Sequence, residues 1–191
     1  MSQLRMIKKM DQVLDYPMPA GYGLRKITET EEEIADWIEI CKNGLLKPDQ
    51  GREYYDLRIT NHAGQHWINA KNDVFMVYDL ATDRNVATIT AFVMPDGKGD
   101  IHMVAARPEC TGKKIGHAML SAALKELQAR GVQETQLTTD DWRLPAIKTY
   151  LAAGFSPVLF EDSKERWEAI FEKLKVAPVP LVDVDGKPVE E

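Results

Sequence analysis

Three strand-like segments joined by two short turns most constrain how this chain folds. Residues 74–80 and 86–94 are rich in β-branched and aromatic side chains, and Asp83-Arg84-Asn85 between them is typical of a hairpin turn. A second turn over 95–100 leads into a third strand over 101–106. Because turns this short join antiparallel neighbours, the pattern predicts an antiparallel meander and excludes a repeating βαβ array.

The segments on either side of the meander have helical or strand-like periodicity. Before it we predict a strand over 21–27, a helix that ends at Asn43-Gly44 and a less regular helix over 54–61. After it we predict a long amphipathic helix closed by Arg130-Gly131, a polar strand over 133–139, a helix capped by Asp140 or Asp141, a strand over 155–160 and a helix over 163–175. This order of elements is typical of an α+β domain.

Domain boundaries follow from where the periodicity begins and ends. Residues 1–20 lack clear periodicity and contain two prolines, so we interpret them as an N-terminal arm. Residues 21–175 carry all the predicted elements and are expected to form one domain. Residues 176–191 are rich in proline, valine and acidic side chains, which predicts a tail or a loosely docked strand.

Composition narrows the class of protein and its partners. The 191 residues are 44% apolar and 28% charged, as in ordinary soluble domains. Thirty acidic against 24 basic side chains give a net charge of −6, which disfavours nucleic acid as a partner. No apolar run approaches the ~18 residues of a membrane span, and two cysteines exclude a disulfide framework. We therefore expect a cytoplasmic protein with no nucleic-acid or membrane partner.

The loop before the long helix is the first candidate binding site. Its sequence is Thr111-Gly112-Lys113-Lys114-Ile115-Gly116. Unpaired N–H groups at a helix N-terminus favour a phosphate or pyrophosphate, and Gly112 and Gly116 allow close approach to the backbone. The loop lacks both the Walker pattern and the dinucleotide fingerprint. From spacing alone, a plain strand-to-helix turn explains it equally well.

A second sequence segment favours one interpretation of this loop. Residues 146–155 read Ala-Ile-Lys-Thr-Tyr-Leu-Ala-Ala-Gly-Phe. Together the two segments resemble the GNAT acetyltransferase superfamily, which has an Arg/Gln-x-x-Gly-x-Gly/Ala loop and, some thirty-five residues later, an Ala-x-x-x-Tyr-x-x-x-Gly-Phe segment. The resemblance covers roughly residues 21–160. It implies a mixed, mainly antiparallel central sheet flanked by helices, with strands that splay apart to form the cofactor cleft.

Three positions depart from the family pattern. Thr111 stands where the family usually has arginine or glutamine, and Lys114 stands where it usually has the first glycine. Both positions act mainly through backbone amides, so we expect pyrophosphate binding to survive. Arg143 occupies the place of a frequent asparagine, and we group it with the cofactor-binding residues.

The resemblance implies acetyl-CoA, or a related acyl-CoA, as co-substrate. The residues expected to bind its pyrophosphate through backbone amides are Thr111, Gly112, Lys113, Lys114, Ile115 and Gly116. The pantetheine arm would pair with the backbone of Met103, Val104 and Ala105. Tyr150 would donate a proton to the departing thiolate, although a core role with its hydroxyl bound to backbone is the alternative.

The attacking amine must also lose a proton, so a general base is wanted. His102 is the leading candidate because an imidazole titrates near neutral pH. Glu109 is a weaker candidate, and water could serve without either. His62 and His66 have a helical metal-ligand spacing, but Gly64 interrupts it and no third ligand is evident, so we expect no metal site.

Two functions remain open at this level. The first is an N-acetyltransferase that moves an acetyl group from acetyl-CoA to a primary amine by direct attack in a ternary complex. The second is a catalytically inactive CoA-binding module with a regulatory or interaction role. The acceptor is a small-molecule or peptide amine, and a homodimer is left open. Aromatic residues before the meander, among them Trp67 and Tyr54-Tyr55, lie where the family often forms the acceptor side of its cleft.

Overall fold

The computed structural model describes residues 2–189, so Met1 of the expected arm and Glu190 and Glu191 of the expected tail lie outside it. The strands are β1 Leu4–Lys9, β2 Tyr22–Lys26, β3 Val74–Asp79, β4 Asn85–Val93, β5 Gly99–Ala106, β6 Glu134–Thr139 and β7 Ser156–Pro157. The helices are α1 Glu31–Cys41, α2 Arg52–Tyr55, α3 Ala70–Asp73, α4 Ile115–Ala129, α5 Leu144–Ala152 and α6 Ser163–Leu174. None of these helices is long and apolar enough to span a membrane.

The strands form one open, mainly antiparallel sheet in the order β2-β3-β4-β5-β6-β1-β7. Only β5 and β6 are parallel neighbours. One face of the sheet packs against α4, α5 and α6, and the other packs against α1 and α2. This arrangement confirms the expected fold class, including the meander of β3, β4 and β5.

The sheet opens between β5 and β6. These strands pair only from Gly99 with Thr135 to Ile101 with Leu137, after which β5 continues to Ala106 without β6 beside it. A side chain at Gly99 would meet Thr135 Oγ1 at 2.7 Å, so glycine is needed where the strands are closest. On its other side β5 has a bulge against β4, where Met103 has a φ of 48°. The predicted splay is therefore present.

The N-terminal segment is the clearest difference from the sequence-based interpretation. Residues 4–9, expected to belong to an arm, form β1, which lies between β6 and β7 and pairs with both. Leu4 and Met6 are fully buried in the main core, while Ile7 packs against Val158 and Val182. The interpretation of this segment as an arm was wrong, because the strand is a buried part of the sheet.

The C-terminal segment packs against the end of the sheet. Val182 of the expected tail forms a parallel bridge with Val158 and is buried, as a docked strand would be.

The expected aspartate cap of α5 is wrong. Its N-cap residue is Arg143, which provides no side-chain cap, and Asp141 instead forms an ion pair with Arg166 of α6.

A buried carboxyl on β5 makes stability depend on pH. Burial raises the pKa of Asp100 to about 7, although a hydrogen bond from Gln136 and the nearby charge of Arg5 oppose the shift. The folded state therefore retains a proton that the unfolded chain loses near pH 4, so this group destabilises the fold as pH rises from 4 to 7.

We expect Asp100→Asn to stabilise the protein by about 1–3 kcal/mol at pH 8 and by close to nothing near pH 4, because the amide keeps the hydrogen bond without the buried charge. Denaturant unfolding of both proteins between pH 4 and 8 measures the difference. A difference that is the same at every pH would contradict this account. Titration of other groups is common to both proteins and cancels.

Candidate functional site

The loop between β5 and α4 turns sharply at two residues. Gly112 has a φ of 77° and Lys114 has a φ of 61° and a ψ of 13°, both in the left-handed region. Lys114 immediately precedes the first residue of α4 and provides no side-chain cap. The helix N-terminus is therefore formed by backbone alone, with its positive dipole end directed outward.

The amides of this loop divide into two groups. Thr111 N–H donates to the carbonyl of Pro108 at 3.0 Å, and Lys113 N–H donates to that of Cys110 at 3.2 Å. These two amides are thus engaged within the loop, which corrects the expectation that all six would face a ligand. The following N–H groups have no acceptor within residues 2–189: Gly112, Lys114, Ile115, Gly116 and His117.

A cavity of about 500 Å³ joins this helix N-terminus to the opening between β5 and β6. Nine residues expected at the site from sequence line it: Val104, Ala105, Thr111, Gly112, Lys114, Ile115, Gly116, Arg143 and Tyr150. The described lining does not include Met103, Lys113 or His102. Met103 is buried on the α1 side of the sheet, and the Lys113 ammonium instead donates to the Tyr22 hydroxyl at 2.7 Å.

Tyr150 lies on α5, lines the cavity and is 4% exposed. Its hydroxyl makes no hydrogen bond to another residue in the described range, and it is not among the buried polar atoms that lack a partner. The oxygen is therefore open to the cavity and is not held by the backbone. Burial raises the pKa of Tyr150 to about 12, and the charge of Arg143 opposes the shift, so the phenol keeps its proton at neutral pH.

Arg143 crosses the opening between the strands. Its Nη2 donates to the Val104 carbonyl at 2.7 Å, so one of the backbone groups expected to face the pantetheine arm already has a partner. The Asn43 amide donates in the same way to the Ala106 carbonyl. Two side chains therefore engage carbonyls of β5 beside the cavity, and an incoming chain of amides would compete with them.

His102 is on β5 but faces the α1 and α2 side of the sheet, where its ring centroid is 4.5 Å from that of His62. Burial, the neighbouring His62 ring and the charge of Arg58 lower the pKa of His102 to about 3. An imidazole with so low a pKa is a weak base. The catalytic role of His102 stays a prediction from sequence, and this environment does not favour it.

Several cavity residues have no signature in the sequence. Trp142 is 63% exposed and its ring lies 3.5 Å from where a side chain at Gly44 would begin. Gly44 and Asn43 follow α1, about a hundred residues before Trp142, and only the tertiary fold brings them to the same cavity. His117, Lys148 and Thr149 also line it.

Comparison with known proteins agrees with this architecture. The model of the Acetyltransferase (GNAT) family matches residues 31–155, which include α1, the meander, the α4 loop and Tyr150. The chain belongs to the GNAT acetyltransferase family. The family is thus established over most of the described sheet and over both sequence segments that first suggested it.

Curated relatives within the family include the mycothiol acetyltransferases of Beutenbergia cavernae and Stackebrandtia nassauensis. The first is 28% identical over 148 residues, which cover 76% of this chain and 49% of the relative. The second is 34% identical over 142 residues, which cover 74% of this chain and 37% of the relative. The chain therefore spans about half or less of the length of these relatives.

Solved structures share the fold at low identity. The GCN5-related N-acetyltransferase from Sphaerobacter thermophilus has a TM-score of 0.66 and 22% identity, covering 81% of this chain and 47% of that one. The glucosamine-6-phosphate N-acetyltransferase from Arabidopsis thaliana has a TM-score of 0.55 and 16% identity, covering 75% of this chain and 97% of that one. Both are similar to this GNAT protein in fold.

A pair of substitutions at Gly116 tests the helix N-terminus as a binding site. A side chain there would begin 3.8 Å from Thr149 Oγ1, which leaves room for alanine within the protein. We expect Gly116→Leu to weaken acetyl-CoA binding at least tenfold, because the larger side chain would fill the space in front of the free amides. Gly116→Ala should bind within about threefold and be more stable by roughly 0.5–1 kcal/mol.

Calorimetric titration with acetyl-CoA and thermal unfolding of the three proteins provide the measurement. Equal affinities for the Gly116→Leu and Gly116→Ala variants would show that the ligand does not approach this helix turn.

Proposed function

We propose that this protein transfers an acetyl group from acetyl-CoA to a primary amine, by direct attack of the amine in a ternary complex. The observation that carries the proposal is that a single cavity is lined both by the residues of the free amides at the N-terminus of α4 and by Tyr150. Such a cavity suits an elongated ligand that has a pyrophosphate at one end and a reactive group at the other.

The residues around the cavity fit this co-substrate. The amides of Gly112, Lys114, Ile115 and Gly116 would bind the pyrophosphate, and the dipole of the 15-residue α4 helix favours its negative charge. Backbone of Val104 and Ala105, where β5 lacks a neighbour, would pair with the pantetheine amides once Arg143 releases the Val104 carbonyl. Acetyl-CoA supplies an acetyl group already activated as a thioester.

Tyr150 would act on the leaving group. The balanced reaction forms an amide bond to the acceptor nitrogen and breaks the thioester C–S bond, while one proton leaves the nitrogen and one reaches the sulfur. Because Tyr150 retains its proton, its hydroxyl can donate to sulfur as negative charge develops there. The Arg143 charge near the phenol makes that donation easier. Water at the open end of the cavity would accept the proton from the amine.

The acceptor is proposed as a small-molecule amine. The similarity to mycothiol acetyltransferases supports a small molecule over a protein, and the matched region covers 49% and 37% of those two relatives. The exposed Trp142 and the half-buried Arg143 would lie beside the acceptor at the point where the cavity meets solvent.

The proposal is tested by measuring release of the CoA thiol when acetyl-CoA is mixed with a panel of primary amines. We expect at least one amine to release thiol and gain an acetyl group in equal amounts, as detected by mass spectrometry. If acetyl-CoA binds tightly but no amine in a broad panel is acetylated, the protein is the inactive CoA-binding module instead.

A further inference from the structure

A second group of polar side chains lies on the opposite face of β5 from α4. Arg58 is on a π-helical turn, Asp56–Thr60, that continues α2, and His62 begins the 3₁₀ turn one residue later. The His62 ring packs against His102 of β5, Phe92 of β4 and Trp67, with centroid separations of 4.5, 5.5 and 6.2 Å. The cluster therefore joins the irregular helical segment to the strand that also lines the cavity.

Three nitrogen atoms in this cluster are buried and make no hydrogen bond of normal geometry: Arg58 Nε, His62 Nδ1 and His102 Nε2. The polar contact of the two imidazoles is with the Arg58 backbone, which opposes the lowering of their pKa values. Burying a polar group without a partner costs roughly 1–3 kcal/mol, so three in one cluster are costly for structure alone. A ligand group that accepted hydrogen bonds would satisfy them. Three nitrogens in one cluster that all lack a well-formed hydrogen bond point to one binding site.

Charge decides what kind of ligand fits. The Arg58 guanidinium donates to the Tyr54 hydroxyl at 2.9 Å, but it has no carboxylate partner among the described residues. Its positive charge contributes to lowering the pKa of both histidines, so the imidazoles stay neutral beside it. A metal cation would be repelled by Arg58, whereas an anion would be attracted and could accept from all three side chains.

The neighbouring Arg52 shows the contrast. It lies one turn and a half earlier, at the start of α2, and forms ion pairs with Glu31 at 2.8 Å and with Asp56 at 3.2 Å. Its charge is compensated within the protein. Of the two arginines on this segment, Arg58 is the one whose charge lacks a carboxylate in the described part of the chain.

We propose that Arg58, His62 and His102 bind an anionic group, a carboxylate or a phosphate, carried by the amine acceptor. This inference rests on the proposed acetyltransferase function and specifies the substrate class. His102 and Val104 are two residues apart on β5, about 7 Å along the strand, and both lie where β5 has no β6 beside it. Because the His102 ring is on the face away from α4, the acceptor would reach past this open edge of β5, with its anionic group several bonds from the amine that is acetylated.

Entry to the site requires movement of the segment that covers it. The three nitrogens are closed off from solvent, while Trp67 at the outer edge is 38% exposed. Residues 56–64 form π- and 3₁₀-helical turns, whose hydrogen bonding is less regular than that of an α-helix. Outward displacement of His62 and Trp67 would open the histidine and arginine nitrogens together.

The direct test is proton NMR of the histidine imidazoles during titration with inorganic phosphate and, separately, with acetate. Saturating acetyl-CoA is present throughout, so that the N-terminus of α4 is already filled. We expect saturable shifts of the His62 and His102 signals in the wild type and in the charge-matched control Arg52→Gln. In Arg58→Gln the affinity should fall at least tenfold, and Arg58→Lys should recover part of it.

No saturable shift in the wild type, or equal affinity in the Arg58→Gln and Arg52→Gln proteins, would overturn the proposal. The two anions distinguish a phosphate from a carboxylate site. Calorimetric titration of each variant with acetyl-CoA verifies that the variant is folded. The same titration separates the acetyltransferase function from the anion site of the acceptor. Failure to bind acetyl-CoA would refute the acetyltransferase function, whereas normal acetyl-CoA binding without anion binding would refute the acceptor site alone.

Acetylation activity gives a second readout. Two pairs of acceptors are compared, and the members of each pair differ in the anionic group: 2-aminoethyl phosphate with ethanolamine, and β-alanine with its carboxamide. We expect the ratio of kcat/KM for the anionic member to that for the neutral member to fall at least tenfold in Arg58→Gln, mainly through KM. An unchanged ratio for both pairs would contradict the assignment.

Discussion

Replacing Tyr150 with phenylalanine is expected to lower kcat about 100-fold or more while changing the Kd for acetyl-CoA less than twofold. A positioned general acid contributes on the order of 10²–10⁴ to rate, and the substitution removes one oxygen without changing the ring. The ring packs in the core with Phe155, at a centroid separation of 6.1 Å, and phenylalanine keeps that packing. Among residues 2–189 the hydroxyl has no hydrogen-bond partner to lose.

The measurement is steady-state thiol release together with calorimetric titration of the same preparation. Thr149→Ser on the same helix is the control, because Thr149 lines the cavity but is given no role in proton transfer. A Tyr150→Phe protein with wild-type kcat would contradict the acid role. A protein that had lost acetyl-CoA binding as well would show that Tyr150 mainly shapes the cavity.

Truncating the buried side chains of β1 should have the second large effect. Leu4 and Met6 are both fully buried in the main core, and large-to-alanine changes at such sites cost about 2–5 kcal/mol each. Leu4→Ala and Met6→Ala should each lower the free energy of unfolding by that amount. The double variant is expected to unfold at or near room temperature, because domains have only about 5–15 kcal/mol in total.

Chemical denaturation monitored by circular dichroism provides the measurement. Lys9→Ala, at the exposed end of the same strand, is the control and should change stability by less than about 0.5 kcal/mol. If Leu4→Ala and Met6→Ala were as stable as Lys9→Ala, the N-terminal segment would be an arm, as its sequence first suggested, and its place between β6 and β7 would be wrong.

The sequence predicts the elements that carry a local signal. Helix α4 has clear periodicity because one face is toward the core, and its boundaries agree with those expected from its glycines. Strands β3 and β4 are buried on both faces, and their β-branched and aromatic runs and short turns identify them instead. Strand β1 has no such turn beside it, because it pairs with β6 and β7 far along the chain. Met6 and Ile7 point into different clusters, and Lys8 is buried next to them, so apolar and polar residues do not alternate.

Only those parts of the site that form local sequence motifs could be predicted. The loop and the Tyr150 segment each carry a local motif, and the structure brings them to one cavity. The direction of individual groups could not be predicted. Whether an amide in the loop faces outward depends on the 3₁₀ turn Pro108–Cys110, whose carbonyls accept from Thr111 and Lys113. The contact of Arg143 with Val104 depends on tertiary structure.

The most direct measurement of the central claim is calorimetric titration of the purified protein with acetyl-CoA, repeated with 3′-dephospho-CoA and with ATP. The account predicts saturable, one-to-one binding of acetyl-CoA with a micromolar Kd and much weaker binding of ATP, which has the phosphates but no pantetheine arm for the opening between β5 and β6. Absence of acetyl-CoA binding, or equal affinity for ATP, would show that the α4 N-terminus and the cavity do not form the proposed co-substrate site.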